Sequence, residues 1–136
     1  MGKPIMGALM ILAIIMTTVL LIDQYKVERD NLIDIKTATK IAARSAALSI
    51  DEPLTAQRGV IVIDETEAEA KGEQYFLSNL NRFREANQSN IDVFVINDAP
   101  GTHMLHDYAH YFNANGVAVG YHYDGDFIVS VVEVED

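Results

Sequence analysis

The 136-residue chain contains no cysteine, which excludes disulfide bonds, thiolate metal ligands and a cysteine nucleophile. The sequence also lacks a phosphate-binding P-loop, a dinucleotide-binding glycine pattern and a G-x-S-x-G serine motif. No group of residues in it specifies a reaction. We therefore expect a protein that is not an enzyme, with no cofactor, no metal site and no small-molecule substrate.

Basic residues are scarce in the C-terminal two thirds of the chain. Residues 1–44 hold six Lys and Arg against four acidic residues, whereas residues 45–136 hold four against sixteen. Nucleic-acid affinity depends on neutralising phosphates with basic side chains. The acidic C-terminal part therefore excludes nucleic acid as an expected partner.

Charged residues are absent from the segment IMGALMILAIIMTTVLLI, residues 5–22. As a helix with a rise of about 1.5 Å per residue it is about 27 Å long, close to the roughly 30 Å hydrocarbon core of a bilayer. A cleaved secretory signal is the alternative, but the apolar run is long for one and no A-x-A site follows it. The pattern favours an uncleaved single-pass anchor.

Proline and glycine are absent from residues 23–50, so the helix can continue as an amphipathic stem. Small and apolar residues recur there at three- and four-residue steps. Two interpretations of this face carry equal weight: the helix lies on its own domain, or it packs against helices of other subunits. The members of the face are Tyr25, Leu32, Ile35, Ala38, Ala42, Ser45 or Ala46, and Ser49.

An acidic head, residues 51–136, follows the stem, and Pro53 is predicted to end the helix before it. The head is predicted to be α+β, with one main helix on an antiparallel sheet of about four strands. The predicted elements are a strand over 59–64, a helix over 66–87 capped by Asp64 or Thr66, a strand over 91–97, a type II turn at Pro100–Gly101 and a terminal hairpin over 116–134.

The terminal hairpin has a strong turn signal, because Asp124-Gly125 supplies the two residues with positive φ that a type I′ turn requires. This turn explains the sequence DGD at 124–126 better than a calcium loop, which would need further ligands. The predicted register places Val119, Tyr121 and Tyr123 opposite Ser130, Ile128 and Asp126, with His122 near Phe127.

Three histidines stand close together in HMLHDYAHYF, residues 103–112, predicted as a short helix or an irregular loop. On a helix His106 and His110 would share a face, and Asp107 or His103 would complete a metal site. A metallopeptidase would need a glutamate between the pair, and none is present. The favoured interpretation is that the histidines face solvent. Adventitious metal binding or pH sensitivity is the second interpretation, and a catalytic metal is the third. The anchoring side chains would then be Leu105, Tyr108, Tyr111 and Phe112.

Three segments resemble the TadE/TadG-like pseudopilins of bacterial tight-adherence (type IVc) pili, in their short Gram-positive form. The residues that carry the resemblance are Ala46-Ala47-Leu48-Ser49-Ile50-Asp51, the 59–64 segment and Phe76-Leu77-Ser78-Asn79-Leu80. MGKPIMG before ALMILAII also resembles a short prepilin leader, which implies cleavage after Gly7. Leu12 stands where such substrates usually carry a glutamate, so a full-length form stays open as well.

The resemblance implies a membrane-anchored structural component of a pilus or secretion filament. It would assemble with other pilin-like subunits through its N-terminal helix. The resemblance also implies that the head lies outside the cytoplasm, as part of a cell-surface filament. The basic residues Lys26, Arg29, Lys36 and Lys40 after the span favour the opposite orientation. We expect the extracytoplasmic one, and the alternative function is a membrane-tethered binding or sensor module with a His-rich ligand or pH site.

Overall fold

The computed structural model describes residues 2–80 and 90–134, apart from the side chains of 2–4, 23, 25, 27 and 28. In this part of the chain a long helix is followed by two shorter helices and five strands, so the α+β prediction is confirmed. The elements are α1 Gly2–Ala47, α2 Glu52–Arg58, α3 Glu65–Ser78, β1 Ile91–Ile96, β2 Gly101–Leu105, β3 Tyr108–Phe112, β4 Gly116–Tyr123 and β5 Asp126–Glu133.

The chain divides into two compact units, Met1–Ile33 and Asp34–Asp136. This boundary falls inside the 23–50 segment that the sequence analysis assigns to a stem. Residues 34–47 of α1 therefore belong to the second unit, which is called the head from here on.

A short helix, α2, was not predicted and accounts for two wrong predictions around it. Asp51 caps α2 by accepting a hydrogen bond from the backbone N–H of Leu54 at 3.1 Å. Pro53 lies in the first turn of α2, where its missing N–H costs nothing. α1 has already ended at Ala47. The predicted 59–64 strand is reduced to one antiparallel bridge between Ile63 and Ile50.

α3 begins as predicted, because Asp64 accepts a hydrogen bond from the backbone N–H of Glu67 at 3.1 Å. The helix ends at Ser78 rather than near residue 87. The last part of the predicted helix, residues 81–87, lies outside the described residues.

Three antiparallel strands form the main sheet, in the order β1-β4-β5. The predicted hairpin is confirmed: Tyr121 pairs with Ile128 and His122 with Phe127. Its turn residues Asp124 and Gly125 have φ of 48° and 81°.

The histidine-rich stretch forms a second, two-stranded sheet of β2 and β3, so the prediction of a helix or loop was wrong. Its turn contains His106 with φ 64°, a backbone region that residues other than glycine rarely adopt. The type II turn predicted at Pro100–Gly101 is also absent. Such a turn needs a positive φ at its glycine, and Gly101 instead begins β2 as an extended residue.

Helices cover one face of the main sheet and the β2–β3 hairpin covers the other. On the first face α1 and α3 contribute Ile35, Ala42 and Phe76 to one apolar core. On the second face Leu105 and Phe112 of the hairpin pack against β1, β4 and β5. The described part of the head thus has a layer of helices, a layer of sheet and a layer of hairpin.

Candidate functional site

The segment Ile5–Ile22 of α1 is long and apolar enough to cross a membrane, with a mean hydropathy of 2.7 and no buried residues. Its large apolar side chains are 51% to 65% exposed. A core helix of a soluble protein would bury such residues, because apolar side chains are stabilised by about 25 cal/mol for each Å² removed from water. The segment is thus compatible with a protein tethered to a membrane.

The two polar side chains of this segment are satisfied by the helix itself. The Thr17 hydroxyl donates to the carbonyl of Ala13 at 2.8 Å, and the Thr18 hydroxyl donates to that of Ile14 at 2.9 Å. Hydroxyl groups without a partner are costly in hydrocarbon. These bonds allow both threonines to lie in an apolar environment.

The small-residue face of α1 is covered by the head's own sheet. Ala38, Ala42 and Ala46 have no exposed surface, and they belong to the same core as β4 and β5. The Thr39 hydroxyl lies 2.9 Å from the Ser130 hydroxyl of β5. From Ile35 to Ser49 the interpretation that the helix lies on its own domain is confirmed, whereas Leu32 is 40% exposed and the side chain of Tyr25 lies outside the described part of the chain. Ala42 is therefore not available to a helix of another subunit.

The first pair of histidines faces the hairpin's own aromatic residue. His103 on β2 is directly opposite His110 on β3. Both rings contact the ring of Phe112 edge to face, with centroid distances of 5.8 Å and 4.9 Å. His103 Nε2 also lies 2.9 Å from a carboxylate oxygen of Asp98.

The second pair of histidines lies against β5. The ring centroids of His106 and His122 are 4.7 Å apart, and both rings contact Phe127, at 5.3 Å and 4.6 Å. His122 Nε2 is 2.7 Å from a carboxylate oxygen of Asp92. Phe127 reaches this position because it crosses Gly120, where a Cβ atom would lie only 2.1 Å from the phenyl ring.

The structure separates His106 from His110, the two histidines that the sequence analysis expects on one helical face. His106 and His110 do not share a helical face: His106 meets His122, and His110 meets His103 and Phe112. Within residues 2–80 and 90–134 no three His, Asp or Glu side chains form a group that could hold a metal ion. Of the four predicted anchors of this segment, Leu105 and Phe112 are buried, whereas Tyr108 and Tyr111 are half exposed.

Two asparagines that the sequence analysis missed hold the loop before α3 against the sheet. Asn97 accepts a hydrogen bond from the backbone N–H of Ile63 at 2.8 Å and donates to its carbonyl at 2.9 Å. Asn115 accepts from the N–H of Ala99 at 3.0 Å and donates to the carbonyl of Ile61 at 2.7 Å. Their one sequence signal is the position of each beside a strand, which does not reveal the partner.

The chain matches no protein-family model, no curated protein and no solved structure.

Proposed function

We propose that this protein is a membrane-anchored, pilin-like subunit of a pilus or secretion filament, with its head outside the cytoplasm. The observation that carries the proposal is the uncharged Ile5–Ile22 segment, whose side chains are not covered by any other part of the chain that the structure describes. A lipid bilayer or the matching segments of other subunits would provide that cover.

The packing of the head limits which residues can mediate assembly. Residues 35–47 of α1 use their small-residue face inside the head. Contacts between subunits therefore involve the part of α1 before residue 35, the exposed surface of the head, or both. The described part of the head buries its own core, so the head can fold before assembly and serve as a structural unit of a filament.

The pairing of histidines with carboxylates supports a second candidate, a membrane-tethered sensor. The side chains of His103 and His122 lie within 2.9 Å and 2.7 Å of Asp98 and Asp92. Histidine is the side chain that changes charge most readily near neutral pH. A sensor of this type would act as a monomer in the membrane and would respond to pH.

Expression of the full chain with a C-terminal tag in a cell that assembles such filaments tests the first candidate. Recovery of the tagged chain in filaments sheared from the cell surface, together with other pilin-like proteins, would support it. Mass spectrometry of the recovered chain would show whether it begins after Gly7. Recovery only as a membrane-bound monomer would contradict it.

One variant separates the two candidates. His122→Gln keeps a side chain that can hydrogen bond to Asp92 but removes the titratable ring. A filament subunit would be incorporated as before. A sensor that acts through the contact between His122 and Asp92 would lose its response to a change of pH.

A further inference from the structure

α1 carries a row of exposed cations on the side of the head that faces away from the sheet. Lys36, Lys40 and Arg44 follow one another at four-residue intervals, and all three are exposed. Leu48, four residues further on, is 74% exposed. Residues four apart are neighbours on a helix surface, with a rise of about 6 Å for each step. This basic row therefore forms one ridge that leads to an exposed leucine.

The helix dipole explains Arg44, which lies in the last turn of α1, but it does not explain Lys36 or Lys40. No acidic residue occurs between Ile35 and Ile50. Among the described residues, no carboxylate lies within ion-pair distance of the three cations. Like charges four residues apart on a helix repel one another, so the isolated chain loses stability by carrying them. This cost is offset once an anionic partner lies along the row.

α3 carries an acidic row with the same interval. Glu65 and Glu69 are exposed, Glu73 continues the row, and Leu77 follows it with 37% exposure. The helix dipole explains an acid in the first turn, such as Glu65, but it does not explain Glu69 in the second turn. Glu73 makes an interaction of its own within the chain, whereas Glu65 and Glu69 are the two exposed acids of the row.

An apolar groove lies at the end of the basic row. It has a volume of about 390 Å³. Its lining includes Arg44 of α1, Leu48, Ile50, Ile61, Val132 and Glu133. A groove of this size accepts an aliphatic side chain, and Leu77 follows the acidic row at the same distance as Leu48 follows the basic row. The groove is an observation independent of charge.

We propose that the basic row of one copy of this chain binds the acidic row of a second copy, with Lys36 and Lys40 opposite Glu65 and Glu69. Leu77 of the second copy then enters the groove beside Leu48 of the first. Because the two surfaces differ, each copy keeps one surface free after binding, and the contact can repeat into a closed ring or an open chain of subunits. This inference deepens the proposed function by naming a contact between subunits.

Exposed ion pairs are individually weak, so the contact needs a high local concentration of subunits. Anchoring in one membrane supplies this concentration, because tethered partners meet as if at a concentration on the order of millimolar. The proposal rests on the proposed function in this respect.

Disulfide formation between two differently tagged full-length chains tests the contact, since the chain has no native cysteine. Thr37→Cys and Thr66→Cys introduce exposed thiols beside the two rows without removing any charge. The chains are reconstituted together in phosphatidylcholine vesicles. We expect roughly tenfold more mixed disulfide than for the control pair Thr37→Cys and Gln57→Cys, whose second thiol lies on α2.

Charge reversal makes the test specific. Lys36→Glu with Lys40→Glu in the Thr37→Cys chain should lower the yield to the control level. Glu65→Lys with Glu69→Lys in the Thr66→Cys chain should restore it when the two reversed chains are mixed. Circular dichroism confirms that each variant is folded. Failure of the reversed pair to recover, with both chains folded, would overturn the proposal.

Two further measurements distinguish a contact between subunits from binding of the basic row to anionic lipid. The first is the disulfide yield in phosphatidylcholine vesicles, and the second is the binding of the chain to vesicles that contain phosphatidylglycerol. A disulfide yield at the control level, together with vesicle binding that requires phosphatidylglycerol and is lost in the Lys36→Glu, Lys40→Glu chain, would assign the basic row to lipid. This result would overturn the proposal. The same disulfide pairs are measured in detergent at a chain concentration on the order of millimolar. The contact is therefore tested even if the chain fails to float with vesicles, a result that would count against the proposed function alone.

Discussion

Two stretches of one helix differ in the exposure of their apolar side chains: residues 5–22 leave them exposed, and residues 35–47 bury one face. From Ile5 to Ile22 every large apolar side chain is more than half exposed. From Ile35 to Ala47 the face formed by Ile35, Ala38 and Ala42 has no exposed surface. Helix formation is common to both, so the backbone does not explain the difference. What differs is the size of the side chains and the presence of a sheet that covers them.

Side-chain size decides how closely a helix can approach its neighbour. Alanine on the buried face lets the α1 backbone lie near β4 and β5, and a hydrogen bond between Thr39 and Ser130 crosses this contact. The bulky Ile, Leu and Met side chains of the first stretch present large apolar areas all around the helix. A helix that is apolar all around is stable only in a protein core or a membrane.

The largest predicted effect is the loss of membrane retention when charge enters the first stretch. Ala13→Asp with Ile14→Asp places two acids at its centre, at a cost of about 5–7 kcal/mol on the scale of translocon-mediated insertion. Membrane fractionation with carbonate extraction should move the chain to the soluble fraction or to inclusion bodies. Thr37→Asp with Leu48→Asp, at exposed positions of the head, is the matched control and should stay in the membrane. Equal partitioning of the two variants would contradict an anchor at residues 5–22.

A smaller effect is predicted for one substitution made in each stretch. Ala42→Leu adds bulk to the close contact between α1 and the sheet, and overpacking of this kind costs about 1–3 kcal/mol. Ala13→Leu adds the same side chain to a surface that no other described residue of the chain covers, so the stability of the head should not change. Denaturation of the full chain in detergent, followed by tyrosine fluorescence, measures both, because Tyr121 is buried against Phe76. Equal stability of the two variants would show that Ala42 is not packed.

The elements with a strong local signal could be predicted from the sequence. Asp124-Gly125 fixes the β4–β5 hairpin and its register, since a two-residue turn of this type leaves one alignment of the strands. The Ile5–Ile22 segment is defined by the absence of charge, which needs no tertiary information. Asp64 marks the start of α3 because its carboxylate bonds locally, three residues ahead.

The predictions that failed depend on contacts between residues distant in sequence. The spacing of His106 and His110 fits a helix and a hairpin equally well, and the packing of Leu105 and Phe112 against the sheet favours the hairpin. Ile61 to Ile63 has the composition of a strand, but the side chains of Asn97 and Asn115 bind its backbone groups in place of a neighbouring strand. The residues of this segment that Asn97 and Asn115 bind are 34 and 54 positions away in the chain, so the local sequence does not identify them.

The smallest predicted effect concerns a hydroxyl group in each stretch. Thr39→Val keeps the side-chain shape but removes the partner of the Ser130 hydroxyl, which should cost about 1 kcal/mol because a buried polar group loses a hydrogen bond. Adding Ser130→Ala should recover part of this loss, since no unpaired hydroxyl then remains. Thr17→Val removes only a bond to the carbonyl of its own helix, so the head should keep its stability. The same fluorescence-monitored denaturation compares the variant chains with the parent. A double variant whose loss of stability equals the sum of the losses of the two single variants would show that Thr39 and Ser130 do not act as a pair.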